Sequence, residues 1–144
     1  MALKRTAKDE KSGDELMAQE LPLNILIAED NMINQKLLLS ILKMLGYNPD
    51  AVSDGTEVLN AVNQKKYDLV LMDIQMPEMS GEETTAQLRK RMHKSIPKIM
   101  AVTAYAMAGD REKYLLAGMD GYLSKPFKIE ELIGEIKRVI RGGL

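Results

Sequence analysis

Leu69-Val70-Leu71-Met72-Asp73-Ile74-Gln75-Met76-Pro77 sets a carboxylate at the end of an unbroken apolar run. Four consecutive apolar residues leave no polar face. They read as a strand buried on both sides, as in a parallel sheet. A charge at the carboxyl end of such a strand costs free energy unless something there uses it. Open parallel sheets bind their ligands at that edge. Asp73 therefore stands where chemistry is expected.

A second run has the same form. Asn24-Ile25-Leu26-Ile27-Ala28 is short and apolar, and Glu29-Asp30 follows it. Two such strands lying side by side would bring three carboxylates to one edge, where they repel unless a cation sits between them. A donor set made only of oxygen favours a hard ion, and Mg²⁺ with retained waters (or Mn²⁺) is the natural choice.

The rest of the chain alternates. Asn31 can cap a helix to about Leu45 with Ile33, Leu37, Ile41 and Met44 on one face, and Gly46 ends it. Tyr47 to Val52 is a weaker strand that Pro49 assigns to a sheet edge. Ser53 or Asp54 caps a helix to about Asn63, with Val58, Leu59 and Val62 apolar. Tyr67–Asp73 is the third strand, Pro77–Gly81 a turn, and a helix runs from there to about Met92. Ile96–Thr103 is the fourth strand. Gly109–Ala117 is a helix stopped by Gly118, and Gly121–Leu123 is the fifth strand. Lys128–Arg141 is the last helix, with Ile129, Leu132, Ile133, Ile136 and Ile140 as its stripe. Five strand-then-helix units predict an α/β fold: a five-stranded parallel sheet with helices on both faces, flavodoxin-like.

Composition narrows the function. The 144 residues carry a net charge of -1, so no bulk field draws nucleic acid or an anionic membrane. The absence of cysteine excludes disulfides, thiolate metal sites and cysteine nucleophiles. No apolar stretch is long enough to span a bilayer, and the first 20 residues lack the apolar core of a signal peptide. A cytoplasmic domain is expected. Residues 1–22 read as a charged extension or linker, in which Asp14 could cap a short helix with Leu16, Met17 and Leu21 on one side. Residues 23–144 read as the functional domain.

The predicted strand ends gather Glu29, Asp30, Asp73, Thr103 and Lys125, with no histidine base among them. That set suits Mg²⁺ and a phosphoryl group. Asp73 can attack phosphorus, while the metal and the Lys125 ammonium offset charge on the equatorial oxygens.

Four stretches, in order and at the ends of the expected strands, resemble the receiver domain of two-component response regulators. They are Ile25-Leu26-Ile27-Ala28-Glu29-Asp30-Asn31, Leu71-Met72-Asp73-Ile74-Gln75-Met76-Pro77-Glu78-Met79-Ser80-Gly81, Val102-Thr103-Ala104 and Gly121-Tyr122-Leu123-Ser124-Lys125-Pro126-Phe127. The resemblance implies a regulatory phosphoacceptor rather than a turnover enzyme. Asp73 matches the aspartate that takes a phosphoryl group from the histidine of a partner kinase or histidine-phosphotransfer protein. Asp30 matches the direct Mg²⁺ ligand, Glu29 supports it through water, and Gln75 lends its backbone carbonyl. Thr103 matches the hydroxyl that swings to the phosphoryl group, Lys125 the ammonium that pairs with it, and Tyr122 the aromatic switch. The Lys125-Pro126 bond is expected to be cis. Ser80 departs from the aspartate frequent there, at a permissive turn position.

Asn31–Gln35, Asp73-Ile-Gln-Met-Pro and Ala108–Arg111 resemble receivers of hybrid sensor histidine kinases, with a free-standing single-domain regulator as the alternative. A monomer or weak dimer is expected. A phosphatase of the haloacid-dehalogenase type would want a second acid where Gln75 stands. A flavin-binding module would want a phosphate loop where Glu29-Asp30 would repel one. His93, with Lys90, Arg91, Lys94 and Lys98, reads as a solvated loop without the aromatic interleaving of a nucleic-acid surface. Tyr105 is open between a role in access and a plain loop residue.

Overall fold

A computed structural model describes residues 17–92, 96–104 and 107–142. The elements are β1 (Ile25–Ala28), α1 (Met32–Met44), β2 (Asp50–Val52), α2 (Gly55–Gln64), β3 (Leu69–Met72), α3 (Gly81–Arg91), β4 (Lys98–Thr103), α4 (Asp110–Leu116), β5 (Gly121–Ser124) and α5 (Ile129–Ile140). All five strands are parallel, in the order β2-β1-β3-β4-β5. The parallel sheet expected from the apolar runs is therefore present, with β2 at an edge as Pro49 implied.

Alternation along each strand builds two cores. Ile25, Ile27, Leu69, Leu71, Met100 and Val102 meet Leu38 and Leu42 of α1 and Leu132, Ile136 and Val139 of α5. Leu26, Ala28, Val70, Met72, Ile99 and Ala101 meet Val58, Leu59 and Val62 of α2, Leu88 of α3 and Tyr114 of α4. Both faces of the sheet are thus sealed, which is why its strands read as unbroken apolar runs.

Local chemistry sets the helix starts. The Asn31 Oδ1 accepts from the Asn34 amide at 3.0 Å, the Asp54 Oδ1 from Glu57 at 2.8 Å, and the Ser80 Oγ from Glu83 at 3.1 Å. Each satisfies an amide that the first turn leaves unpaired.

One expectation is overturned in part. The stripe Ile33, Leu37, Ile41, Met44 reaches the core only at its far end, where half-buried Ile41 packs on it. Ile33 is 78% and Leu37 59% exposed, whereas Gln35, Leu38 and Leu42 are buried. The helix carries two apolar stripes, and the one turned inward is continued by Leu45 and contains a glutamine.

Shorter differences have local causes. Tyr47 precedes β2 rather than opening it, because its side chain is buried and its hydroxyl donates to the Leu21 carbonyl at 2.7 Å. Burial pushes that phenol up to about 12. β3 starts at Leu69 rather than Tyr67, and the Tyr67 hydroxyl donates to Asp50 Oδ2 at 2.6 Å. The extension is not wholly solvated either. Residues 17–20 form a helical turn, Met17 is buried, and Ala18 and Leu21 pack on the same core. Asp14 and Leu16 lie outside the described residues.

The two stripes of α1 separate cleanly on truncation. Leu38→Ala should lower unfolding free energy by about 2–4 kcal/mol, and Ile33→Ala should leave it within about 0.5 kcal/mol, in urea denaturation with unchanged m-value.

Candidate functional site

The register of β1 and β3 pairs Ala28 with Met72, and the Asp73 amide donates to the Ala28 carbonyl at 2.9 Å. The next residues of each chain are Glu29-Asp30 and Asp73-Ile74. The carboxylates of Glu29, Asp30 and Asp73 consequently place ligand atoms within 4.8 Å of one another. Glu29 and Asp73 are buried, and Asp30 is exposed at the rim.

Each acid is held differently. Glu29 uses both oxygens: Oε1 meets the Lys125 ammonium, and Oε2 accepts from the Asn31 amide at 3.1 Å. Asp73 is held more loosely: the Gln75 amide reaches its Oδ1 at 3.4 Å, and it shares a hydrogen bond with Glu29. Burial pushes the Asp73 carboxyl up to about 7, helped by the Glu29 charge and a hydrogen bond shared with Glu29. Lys125 and the Gln75 amide oppose that rise. A buried acid pair with a single ammonium is short of positive charge. An all-oxygen donor set with that deficit fits a hard divalent cation.

Strands β4 and β5 deliver the remaining groups. Thr103 ends β4, pairs in register with Ser124, and is fully buried. The Lys125 amide donates to the Thr103 carbonyl at 2.8 Å, so the strand ladder itself carries the lysine to the acids. The Lys125-Pro126 bond is cis. Lys125 here pairs with Glu29. Tyr122 is half-buried, its ring stacked on Tyr114 with centroids 5.6 Å apart and planes at 27°. Gln75 is exposed, and its backbone amide donates to Asp73 Oδ1. Tyr105 and His93 lie outside the described residues.

Sequence reasoning missed three contributors. Gly81 donates its amide to the Ile74 carbonyl at 2.8 Å, and a Cβ there would stand 2.6 Å from the Asp73 carbonyl oxygen. Only glycine permits that approach. Asn31 caps α1 as expected, and its backbone amide has a second, unforeseen part in donating to Glu29. Gln35 is 8% exposed and donates to the Glu29 carbonyl at 3.0 Å and the Val52 carbonyl at 3.1 Å. The signal for Gln35 was its place on the stripe of Leu38, Leu42 and Leu45. That stripe was not the one chosen.

A doubly wound parallel sheet with a carboxylate cluster, a buried threonine and a lysine at its carboxyl edge defines a phosphoryl-acceptor class of site. Comparison with known proteins makes the class specific. The chain belongs to the response regulator receiver domain family, whose sequence model matches residues 25–137. It is 39% identical over 86% of its length to hybrid signal transduction histidine kinase H of Dictyostelium discoideum, of which it spans 9%. It is 38% identical over 81% of its length to the polar-differentiation response regulator DivK of Brucella anthropi, of which it spans 95%. The receiver domain of a sensor histidine kinase from Pseudomonas aeruginosa superposes with a TM-score of 0.74 at 39% identity. That match covers 83% of this chain and 98% of the other, and a magnesium ion is coordinated in the active-site cleft of that crystal structure. This chain is a receiver domain of two-component phosphorelay signalling, a family of regulatory phosphoacceptors. Among the described residues no helix is long and apolar enough to cross a membrane.

One ion-pair network borders Tyr122. Glu135 Oε2 accepts from the Tyr122 amide at 2.8 Å, on the outer edge of β5, and from Arg111 of α4 at 3.3 Å. Arg138 holds both Glu135 oxygens, at 2.9 and 2.8 Å. Burial pushes the Glu135 carboxyl up. The Arg138 hydrogen bond, the Tyr122 amide and the two guanidinium charges outweigh it and hold the group below its usual 4.5. A depressed folded-state pKa stabilises above the unfolded value and is lost as pH falls through the folded one. Glu135→Gln should therefore cost about 1–3 kcal/mol at pH 7, and progressively less as pH falls below the usual 4.5, read from urea unfolding across an acid pH series.

Proposed function

We propose that Asp73 is the phosphoacceptor, loaded from a phosphohistidine on a partner histidine kinase or histidine-phosphotransfer protein. An Asp73 carboxylate oxygen attacks phosphorus, a P–O bond forms, and the P–N bond breaks with its electron pair on the imidazole nitrogen. Water later cleaves the acyl phosphate, returning the carboxylate and inorganic phosphate. The observation that carries this reading is the convergence of Glu29, Asp30 and Asp73 within 4.8 Å, with the Lys125 ammonium among them.

Asp30 and Asp73 would hold Mg²⁺ with the Gln75 carbonyl, and Glu29 would support it through water. Bound there, the ion offsets negative charge on the acceptor and on the entering phosphoryl oxygens. Lys125 can leave Glu29 for the phosphoryl group, and the buried Thr103 hydroxyl can follow. Tyr122, half-buried on Tyr114, has room to change its depth when Thr103 moves. That gives two arrangements of one face, whose populations the phosphoryl group shifts.

The unit doing this is residues 23–144, with 1–22 an appendage whose last turn docks on it. Similarity to hybrid kinases over most of the chain supports a parent kinase. The near-complete span of DivK supports a free-standing regulator as the second reading. A partner would cover the apolar Met32, Ile33 and Leu37, which are exposed on α1 beside the acids.

Incubation with Mg²⁺ and acetyl phosphate should add one phosphoryl mass to the intact protein, and Asp73→Asn should abolish the gain. Labelling that persists in Asp73→Asn would overturn the assignment. Ile33→Glu should keep acetyl phosphate labelling at the wild-type rate yet slow transfer from a phosphohistidine partner by about tenfold or more, because it places a charge in an apolar contact. Equal transfer by both proteins would remove α1 from the docking surface.

A further inference from the structure

We infer that Gln35 is a positioning residue that sets divalent-cation affinity by fixing the peptide between Glu29 and Asp30. The inference rests on the metal assignment above. Gln35 lies on the buried stripe of α1, where the neighbouring positions are Leu38 and Leu42. A polar amide in that place is costly unless its hydrogen bonds are made. They are made to two backbone carbonyls, Glu29 at 3.0 Å and Val52 at 3.1 Å. Both partners are acceptors, so only the NH₂ end of the side chain can face them.

The position of these carbonyls gives the contact its consequence. The ladder between β1 and β2 reaches its last rung where the Glu29 amide donates to the Val52 carbonyl at 3.1 Å. Beyond that rung the Glu29 carbonyl, in the same peptide unit as the Asp30 amide, has left the strand. Gln35 holds that carbonyl, and through Val52 it also holds the strand end to which the Glu29 amide is tied. One side chain of α1 thereby holds the carbonyl of the peptide that aims Asp30 and, through Val52, the strand end just before it. Asp30 is exposed at the rim, and among the described residues its carboxylate has no hydrogen bond or ion pair. A carboxylate fixed before the ion arrives binds more tightly than one that must be ordered on binding.

The test uses the whole chain and Mg²⁺ alone, followed by amide shifts in two-dimensional NMR. Gln35→Met keeps the length of the side chain and removes both donors. Gln35→Asn keeps an amide but falls one methylene short, and is the fallback should the first variant not fold. Each should raise the Mg²⁺ dissociation constant about tenfold or more, and hydrogen exchange at the Glu29 amide should quicken in the metal-free protein. Leu38→Ala serves as a control, since it loosens α1 without touching either carbonyl. A folded Gln35 variant with unchanged affinity would overturn the inference, and so would an equal loss in Leu38→Ala. Wild-type protein that binds no Mg²⁺ would instead remove the metal assignment, and the inference with it.

Discussion

Glu29 and Asp73 stand side by side, out of water, at the ends of adjacent strands. Two carboxylates in that position disfavour one another's ionisation, and burial disfavours both. The surrounding structure is arranged around this constraint. The Lys125 ammonium meets one Glu29 oxygen and the Asn31 amide the other. Gly81 is held to a size that leaves the Asp73 carbonyl its place. What is left uncompensated is Asp73, whose carboxyl is pushed up to about 7. A positive charge delivered there would lower that value and favour the ionised carboxylate.

The fold was legible because a parallel sheet covered on both faces writes itself as apolar runs separated by capped helices. The chief residues of the site were legible for a related reason. Acids placed after such runs can only lie at the carboxyl edge, and β4 and β5 bring Thr103 and Lys125 to the same edge by register alone. α1 was misread because it carries two apolar stripes. Periodicity cannot tell which of two adequate stripes is buried; the choice depends on the sheet beneath. The same ambiguity hid Gln35, which reads as a surface residue on one choice and as a buried clamp on the other.

A charged segment was also more than its composition suggested. Met17 and Leu21 are four apart, so one helical turn puts both on the core beside Tyr47, whose hydroxyl takes up the Leu21 carbonyl. Charge patterning reads the segment as a linker because it averages over a window, whereas docking needs only two apolar residues at the right spacing, the spacing that put Met17 and Leu21 on one side of a short helix. Strand ends failed by similar margins. Tyr47 and Tyr67 both have strand propensity, and both are spent on hydroxyl contacts just outside the ladders.

The net charge of -1 conceals a separation of charge along the strand direction. Acids open α2, α3, α4 and α5, at Glu57, Glu82, Glu83, Asp110, Glu112, Glu130 and Glu131. Cations close α1, α3, α4 and α5, at Lys43, Arg89, Lys90, Arg91, Lys113, Lys137 and Arg138. Each placement complements the helix dipole, and together they draw divalent cations toward the carboxyl edge. α1 is the exception. Its first turn holds no acid, because Glu29 already accepts the Asn31 amide and the acidic pair lies directly ahead of it. Met32 and Ile33 occupy that turn instead, both exposed. The helix nearest the acids therefore offers an arriving partner an apolar surface rather than more negative charge. If the proposed phosphohistidine partner docks on α1, it does so without first overcoming the repulsion that the other helix starts would impose.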